Sequence, residues 1–152
     1  MTKRLLLFVL LAGSLVFAKS NFTGDWKMDP SKSDAGPMTL PESIVMKIRH
    51  DDPGLAVNTK TTGGPMGDSD INFKYTTDGK ECTNEVRGSV LKSKLVWDGD
   101  VLTVSHKRDF QGNEITFQDR WTLSGDGKTI TINRKISSPQ GEFEAKTVLN
   151  KQ

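Results

Sequence analysis

Five polar residues stand where an alternating β-strand pattern would place side chains in the protein interior: Asn84, Ser93, His106, Asp119 and Arg134. Apolar and polar residues alternate along each of their segments, and each of the five takes an apolar position. We predict that His106 lies opposite Asp119, and Asp119 opposite Arg134, on neighbouring antiparallel strands with Cβ atoms about 5 Å apart. An unpaired buried charge costs several kcal/mol, so these three side chains should form one paired polar rung.

Three roles are open to this rung. It could be a structural network in which Asp119 neutralises Arg134 and orients His106. It could instead supply the few polar groups that orient a mostly apolar molecule inside a concave site. For that second role the predicted ligand-binding residues are His106, Asp119, Arg134, Asn84, Ser93, Tyr75 and Phe73.

The third role is catalysis by a His106–Asp119 dyad with Ser93 as nucleophile. We predict Ser93 diagonal to His106, and diagonal neighbours sit about 7 Å apart, too far for a direct hydrogen bond. The chain also has no nucleophile elbow. His50, Asp51 and Asp52 are interpreted as solvated turn residues rather than metal ligands. The sequence therefore predicts no catalytic residues, no metal site and no cofactor, and a protein that is not an enzyme.

Period-two alternation runs through nearly the whole chain and predicts strands with one buried and one wet face. Turn residues recur about every ten positions, and no stretch has the pattern of a helix. The predicted strands cover 22–29, 43–50, 54–60, 69–77, 81–87, 90–97, 100–110, 114–123, 128–137 and 142–150.

Glycine-containing turns set the predicted register of these strands. Turns at Asp78-Gly79, Asp98-Gly99, Gly112-Asn113 and Asp126-Gly127 would each join two neighbouring strands. The resulting pairs are Tyr75 with Cys82, Leu95 with Leu102, Val104 with Trp121, Phe110 with Ile115, and Trp121 with Ile132. Apolar residues meet in every pair, which favours a meander.

The predicted fold class is all-β: an antiparallel up-and-down meander barrel of about ten strands. A Greek-key sandwich is the alternative, and it would need crossovers hidden in loops 30–42 and 60–68. In a meander, alternate connections fall at alternate ends of the barrel. Loops 30–42, 61–70, 110–113 and 137–141 therefore gather at one end, which is the predicted mouth.

Residues 1–18 have the organisation of a signal peptide, with charged MTKR, an apolar run of about 13 residues and small residues ending at Ala18. The run is short of the roughly 20 residues that span a bilayer. We therefore expect an exported chain, periplasmic or extracellular, with one domain over 19–152 and no transmembrane segment. Glycosylation at Asn21 depends on a eukaryotic source.

Removal of Lys3 and Arg4 from the 21 basic residues leaves 19, equal to the 19 acidic residues. A neutral chain lacks the electrostatic footprint of a nucleic-acid-binding protein. Cys82, as the single cysteine, has no partner for an intramolecular disulfide and is interpreted as a small buried residue. The sequence leaves the oligomeric state open.

The segment Thr23-Gly24-Asp25-Trp26 resembles the Gly-x-Trp opening of lipocalins and fatty-acid-binding barrels, the calycin class. The last residues, 147–151, are similar to the closing strand of fatty-acid-binding proteins. Residues 29–33 (DPSKS) and Gly36-Pro37 resemble a group of exported bacterial lipocalin-like proteins of unassigned function. This resemblance implies a barrel whose closed end is plugged by Trp26, with Gly24 allowing close approach of the chain.

Two departures from fatty-acid-binding proteins bear on function. The segment from Pro30 to Pro41 is too short and proline-rich for their helical lid. Their carboxylate-gripping Arg-x-Tyr pair has no match in the last strand, where Ala145, Lys146 and Thr147 stand. Fatty-acid binding is therefore not implied by the resemblance.

The predicted function is binding of a small apolar or amphipathic molecule by an exported barrel. The alternative is a filled barrel that acts as a protein-interaction module through loops 30–42 and 61–70. Interior volume distinguishes the two.

Overall fold

Ten antiparallel strands form one sheet in the computed structural model, which describes residues 19–152 apart from the side chain of Phe110. The predicted signal peptide, 1–18, lies outside the described residues. Within them there is no helix, and all ten predicted strands are present. The strands are β1 Gly24–Met28, β2 Ser43–Asp51, β3 Gly54–Thr62, β4 Ser69–Thr76, β5 Glu81–Val86, β6 Ser89–Asp98, β7 Val101–Phe110, β8 Asn113–Leu123, β9 Thr129–Ser138 and β10 Gly141–Lys151.

The sheet has the order β4-β3-β2-β1-β10-β9-β8-β7-β6-β5, in which strands adjacent in the chain are adjacent in space and β1 also pairs with β10. This is a nearly closed up-and-down barrel, as predicted, and it contains no Greek-key crossover among the described strands. Alternate side chains point inward because each strand has a period of two.

A seam between β4 and β5 completes the circle without a backbone ladder. The Asn84 side-chain amide donates to the Lys74 carbonyl (3.1 Å), and its oxygen accepts from the Lys74 N–H (2.7 Å). The Cys82 sulfur accepts from the Thr76 N–H at 3.1 Å. Side chains of β5 thus take the place of ladder hydrogen bonds to β4.

The predicted pairing of Tyr75 with Cys82 is therefore wrong. After β4 the chain does not turn tightly into β5, because the Thr77 N–H donates to the Pro53 carbonyl and the Gly79 N–H donates to the Leu95 carbonyl. These bonds tie the 77–80 connection to the neighbouring elements instead of closing a hairpin.

Two of the predicted facing pairs are confirmed: Trp121 lies opposite Ile132, and Asp119 lies opposite Arg134. The pairs across β6–β7 and β7–β8 are wrong by two residues. The observed partners are Leu95 with Val104, Leu102 with both Trp97 and Trp121, Val104 with Asp119, His106 with Phe117, and Phe110 with Asn113.

The cause is a displacement of both turns by one residue. Gln111 and Gly112 have φ of 53° and 79°, so they form the centre of the β7–β8 turn in place of the predicted Gly112-Asn113. The β6–β7 turn is likewise Gly99-Asp100. Moving a turn by one residue shifts the register by two, which keeps every side chain on its predicted face.

The closed end of the barrel is an aromatic plug. Phe22 and Trp26 are fully buried, and the Trp26 Nε1–H donates to the Phe22 carbonyl at 2.9 Å. Gly24 has φ +151°, and a Cβ there would lie 2.9 Å from Cε of Lys151. A glycine is therefore required beside the plug, and the cavity lies toward the opposite end.

His50 at this end is not the solvated turn residue that the sequence suggested, whereas Asp52 is an exposed turn residue as predicted. His50 is buried and packs against both Phe22 and Trp97, with ring centroids 5.8 Å from each, and those two rings are 6.1 Å apart. Asp52 accepts from Lys19 Nζ (2.8 Å), from Trp97 Nε1 (3.0 Å) and from the Thr77 hydroxyl. The Lys19 and Thr77 hydrogen bonds hold the pKa of Asp52 well below its usual range. Asp52 thus ties the N-terminal segment to the closed end.

Candidate functional site: a cavity with a polar corner

A cavity of about 390 Å³ occupies the barrel between the aromatic plug and the mouth. Most of its wall is apolar because the inward positions of nine strands, β2 to β10, converge on it. The wall includes Met46, Val57, Ile71, Phe73, Leu91, Phe117, Trp121, Ile132 and Ala145, with Tyr75, His106, Asp119 and Arg134 as the polar group. This composition is typical of small-molecule sites.

The mouth is crossed by the segment after β1. Asp34 pairs with Lys146 of β10 through two backbone hydrogen bonds of 2.7 Å, which turns residues 35–41 across the opening. Met38 and Leu40 of this segment line the cavity. The segment therefore covers the mouth without the helical lid whose absence the sequence indicated.

A chain of hydrogen bonds and charges forms the polar corner. Ser93 on β6 faces His106 on β7, with Oγ 2.7 Å from Nδ1. His106 Nε2 is 3.9 Å from Asp119 Oδ2 on β8. Arg134 on β9 donates from Nε and Nη2 to the two Asp119 oxygens at 2.7 and 2.6 Å.

The predicted rung is therefore present with altered neighbours. Asp119 and Arg134 face each other as predicted, whereas His106 is diagonal to Asp119 and Ser93 directly faces His106. Asp119 is 1% exposed, and an unpaired carboxylate charge at such a buried site would destabilise the fold. The bidentate pairing with Arg134 compensates this charge.

Burial governs the electrostatics of this corner. It lowers the pKa of His106 from its usual 6.5 to about 4; the Asp119 charge opposes the shift and the Arg134 charge adds to it. Burial, assisted by the Asp119 charge, raises the pKa of Tyr75. For Arg134, burial is the largest effect and would lower the pKa, but the Asp119 charge, the hydrogen bonds to Asp119 and the interaction with Tyr75 together raise it. At neutral pH the histidine and tyrosine are therefore uncharged.

Aromatic rings position the remaining groups. Phe73 and Tyr75 stack with centroids 5.5 Å apart, and Tyr75 lies 6.2 Å from the His106 ring. The Arg134 guanidinium lies 5.6 Å from the centre of Phe117. Arg134 lines the cavity and retains 41% of its side-chain accessibility.

Five of the seven predicted ligand-binding residues line the cavity: Phe73, Tyr75, His106, Asp119 and Arg134. The structure does not bring Asn84 or Ser93 to the cavity wall. Asn84 holds the seam, and Ser93 is 2% exposed behind His106. Ser93, His106 and Asp119 are arranged in the order of a catalytic triad. However, the Ser93 hydroxyl does not reach the cavity, and both oxygens of the Asp119 carboxylate are hydrogen-bonded to Arg134. The arrangement suits positioning of a ligand better than nucleophilic attack.

Sequence reasoning missed three parts of the wall. Arg108 and Trp121 line the cavity, as does the 34–41 segment. The inward phase of β7 would have identified Arg108. Trp121 was predicted to face inward and loop 30–42 to lie at the mouth, but neither was named as a ligand contact. Among residues 19–152 there is no group of three or more His, Cys, Asp or Glu placed to hold a metal ion, and no helix able to cross a membrane.

The fold is that of the fatty-acid-binding, calycin-type barrels, as the sequence resemblance implied. No protein-family model and no curated protein matches the chain. Zebrafish ileal bile-acid-binding protein with cholic acid is similar at a TM-score of 0.62 and 18% identity, covering 86% of this chain and 98% of that one.

Two further structures have the same architecture. A secretory abundant heat soluble protein of Ramazzottius varieornatus has a TM-score of 0.63 and 16% identity, covering 90% of this chain and 98% of its own. A Schistosoma mansoni fatty-acid-binding protein with arachidonic acid has a TM-score of 0.57 and 14% identity, covering 86% and 96%. Identities this low show a shared fold alone.

Proposed function

We propose that this protein binds a small, largely apolar molecule inside its barrel and performs no catalysis. The observation that carries the proposal is the 390 Å³ cavity, apolar over most of its wall and polar at one corner. A few fixed polar groups in an apolar enclosure orient a ligand without supplying chemistry. Similar structures that hold cholic acid and arachidonic acid support the same role.

Cavity volume sets the size of the ligand. At about 30 Å³ per liquid water molecule, the cavity has the volume of roughly 13 waters, so a ligand with on the order of a dozen non-hydrogen atoms fits. A longer chain would extend through the mouth, where Met38 and Val90 of the wall are 43% and 61% exposed.

The open interior favours ligand binding over the alternative of a filled barrel acting through loops 30–42 and 61–70. That alternative required side chains to occupy the volume that the cavity takes. Arg87 donates from Nη1 to the Met66 carbonyl at 2.7 Å, so one of these loops is tied to the β5–β6 turn. Both loops contribute to the cavity wall, loop 30–42 through Met38 and Leu40 and loop 61–70 through Pro65.

Export is part of the proposal. Residues 1–18 would be removed as a signal peptide, and the mature chain would act in a periplasmic or extracellular space. N-terminal sequencing of the protein recovered outside the cytoplasm should give Lys19 as the first residue. Recovery of an intact Met1 chain would contradict this.

Native mass spectrometry of residues 19–152, purified gently from an exporting host that contains membranes, tests ligand binding. We expect a stoichiometric excess mass that disappears on denaturation. Ala145→Phe should abolish it, because Ala145 lines the cavity beside Arg134 and a phenyl ring would fill the corner. Glu144→Phe, an exposed neighbour on the same strand, is the matched control and should retain the mass. A wild-type protein that binds neither host lipids nor added apolar probes would refute the proposal.

A further inference from the structure

Charges in the cavity wall cancel. The charged residues among the described lining residues are two aspartates, Asp34 and Asp119, and two arginines, Arg108 and Arg134. The other titratable groups that face the cavity, Tyr75 and His106, are neutral at pH 7. The wall therefore offers an anionic ligand no net positive charge.

The polar corner is neutral by itself. Both Asp119 oxygens accept from Arg134, which uses Nε and Nη2 and leaves the two Nη1 hydrogens outside this bidentate pair. Tyr75 remains protonated and retains its hydroxyl hydrogen. The corner thus offers N–H and O–H donors without a net charge.

A carboxylate placed at these donors would lie beside the Asp119 charge. It would lose its hydration in a largely apolar enclosure, and no unpaired cation there would compensate for that loss. Arg108 does not alter the corner, because it lies farther along β7 toward the mouth, opposite Ile115. Asp34 also borders the mouth. An uncharged acceptor at the same place accepts hydrogen bonds from these donors, and it loses far less hydration free energy than a carboxylate does.

We propose that the polar end of the ligand is an uncharged hydrogen-bond acceptor, such as an alcohol, ketone or ester, and that carboxylates are excluded from the corner. This inference rests on the proposed function and specifies its ligand class. It separates this site from one that grips a fatty-acid carboxylate, although the barrel is shared.

Calorimetric titration with a saturated primary alcohol and the acid of equal chain length, about ten carbons to match the cavity, tests the proposal. If only the protonated acid enters, its carboxyl pKa of about 4.3 makes it bind ~500-fold more weakly at pH 7 than its neutral form. We expect the apparent Kd of the acid to rise about tenfold per pH unit between about pH 5.5 and 8, and that of the alcohol to stay constant.

Acid binding that equals or exceeds alcohol binding at pH 7, or that is independent of pH, would overturn the inference while leaving the proposed function intact. Failure of both probes to bind would remove the proposed function itself. An acid that is bound by Arg108 instead would also overturn the inference, and Arg108→Gln would abolish its binding.

Asp119→Asn supplies a second test because it leaves the Arg134 charge unbalanced. Acid affinity at pH 7 should rise at least tenfold relative to alcohol affinity, and it should lose its pH dependence. Asp98→Asn is the matched control: Asp98 pairs with Arg120 on the outer surface at 3.2 Å and should leave both ligands unaffected. Unchanged acid affinity in a folded Asp119→Asn protein would contradict the inference. If this variant does not fold, the wild-type pH series decides alone.

Discussion

Replacing Arg134 by Met should raise the pKa of His106. In the native protein this pKa is about 4, lowered chiefly by burial, with the Asp119 charge acting against the shift and the Arg134 charge adding to it. Removing the guanidinium leaves the imidazole facing an unneutralised carboxylate, with Nε2 only 3.9 Å from Oδ2. The protonated histidine then becomes the partner that Asp119 lacks.

The distance sets the size of the effect. Two unit charges about 4 Å apart interact by about 4 kcal/mol at an effective dielectric constant of about 20, which corresponds to about 3 pKa units. The Asp119 charge already acts on His106 in the native protein and is the larger of the two charge effects, so removal of Arg134 should raise the pKa of His106 by less than these 3 units. The variant also loses about 3–5 kcal/mol of stability, because Asp119 loses its bidentate partner.

Histidine titration by NMR measures this shift, since the chain has only two histidines and their signals can be told apart. Arg120→Met is the matched control, because Arg120 neighbours Asp119 on β8 but lies on the outer face, 52% exposed. It should leave His106 unchanged. A folded Arg134→Met protein in which the pKa of His106 stays near 4 or falls would refute the electrostatic account of the corner.

Three further outcomes follow from the same contacts. The pKa of His106 is lower in the folded state than its usual 6.5, so the unfolded chain binds more protons between pH 6.5 and 4. The unfolding free energy should therefore fall by about 3 kcal/mol as the pH drops through that window. In denaturant titrations, His106→Gln should remove this pH-dependent component. Asn84→Ala should destabilise the seam by about 1–3 kcal/mol and speed hydrogen exchange at the Lys74 amide, whose acceptor it removes; equal protection in both proteins would argue against the seam. Trp26→Phe should cost about 1–3 kcal/mol in chemical unfolding, since the hydrogen bond to the Phe22 carbonyl is lost, while ligand affinity stays constant; weakened binding would contradict the purely structural role of the plug.

Much of the fold was predictable because period-two alternation records which face of each strand is buried. That signal places His106, Asp119 and Arg134 inside, and the structure agrees. It does not record which residue lies across the strand, since a register shift of two leaves the pattern unchanged. The Gln111-Gly112 turn shows the limit: a non-glycine residue with φ of 53° has no clear sequence signature, so His106 was assigned the wrong neighbour.

The sequence predicted which residues face inward better than it predicted what each of them does. Asn84 has the inward phase of a ligand-binding residue, yet its amide mimics the peptide group that β4 would otherwise pair with. The role of Asp52 was equally hard to predict, because its hydrogen-bond partners Lys19, Thr77 and Trp97 are far from it in sequence. Contacts of this kind depend on how the sheet curls, and no local pattern encodes that curvature.

The position of the chain ends in the sheet has a consequence for the connectivity of the molecule. Gln152 donates its backbone N–H to the Asp25 carbonyl at 2.9 Å, so the termini of the domain meet between β1 and β10, in the middle of the strand order. The two edge strands, β4 and β5, are instead consecutive in the chain. Joining residue 152 to residue 22 and opening the chain within 77–80 would therefore give a circular permutant whose strands run from one edge of the sheet to the other without interruption. Its new ends would lie at the seam, where no ladder has to be broken.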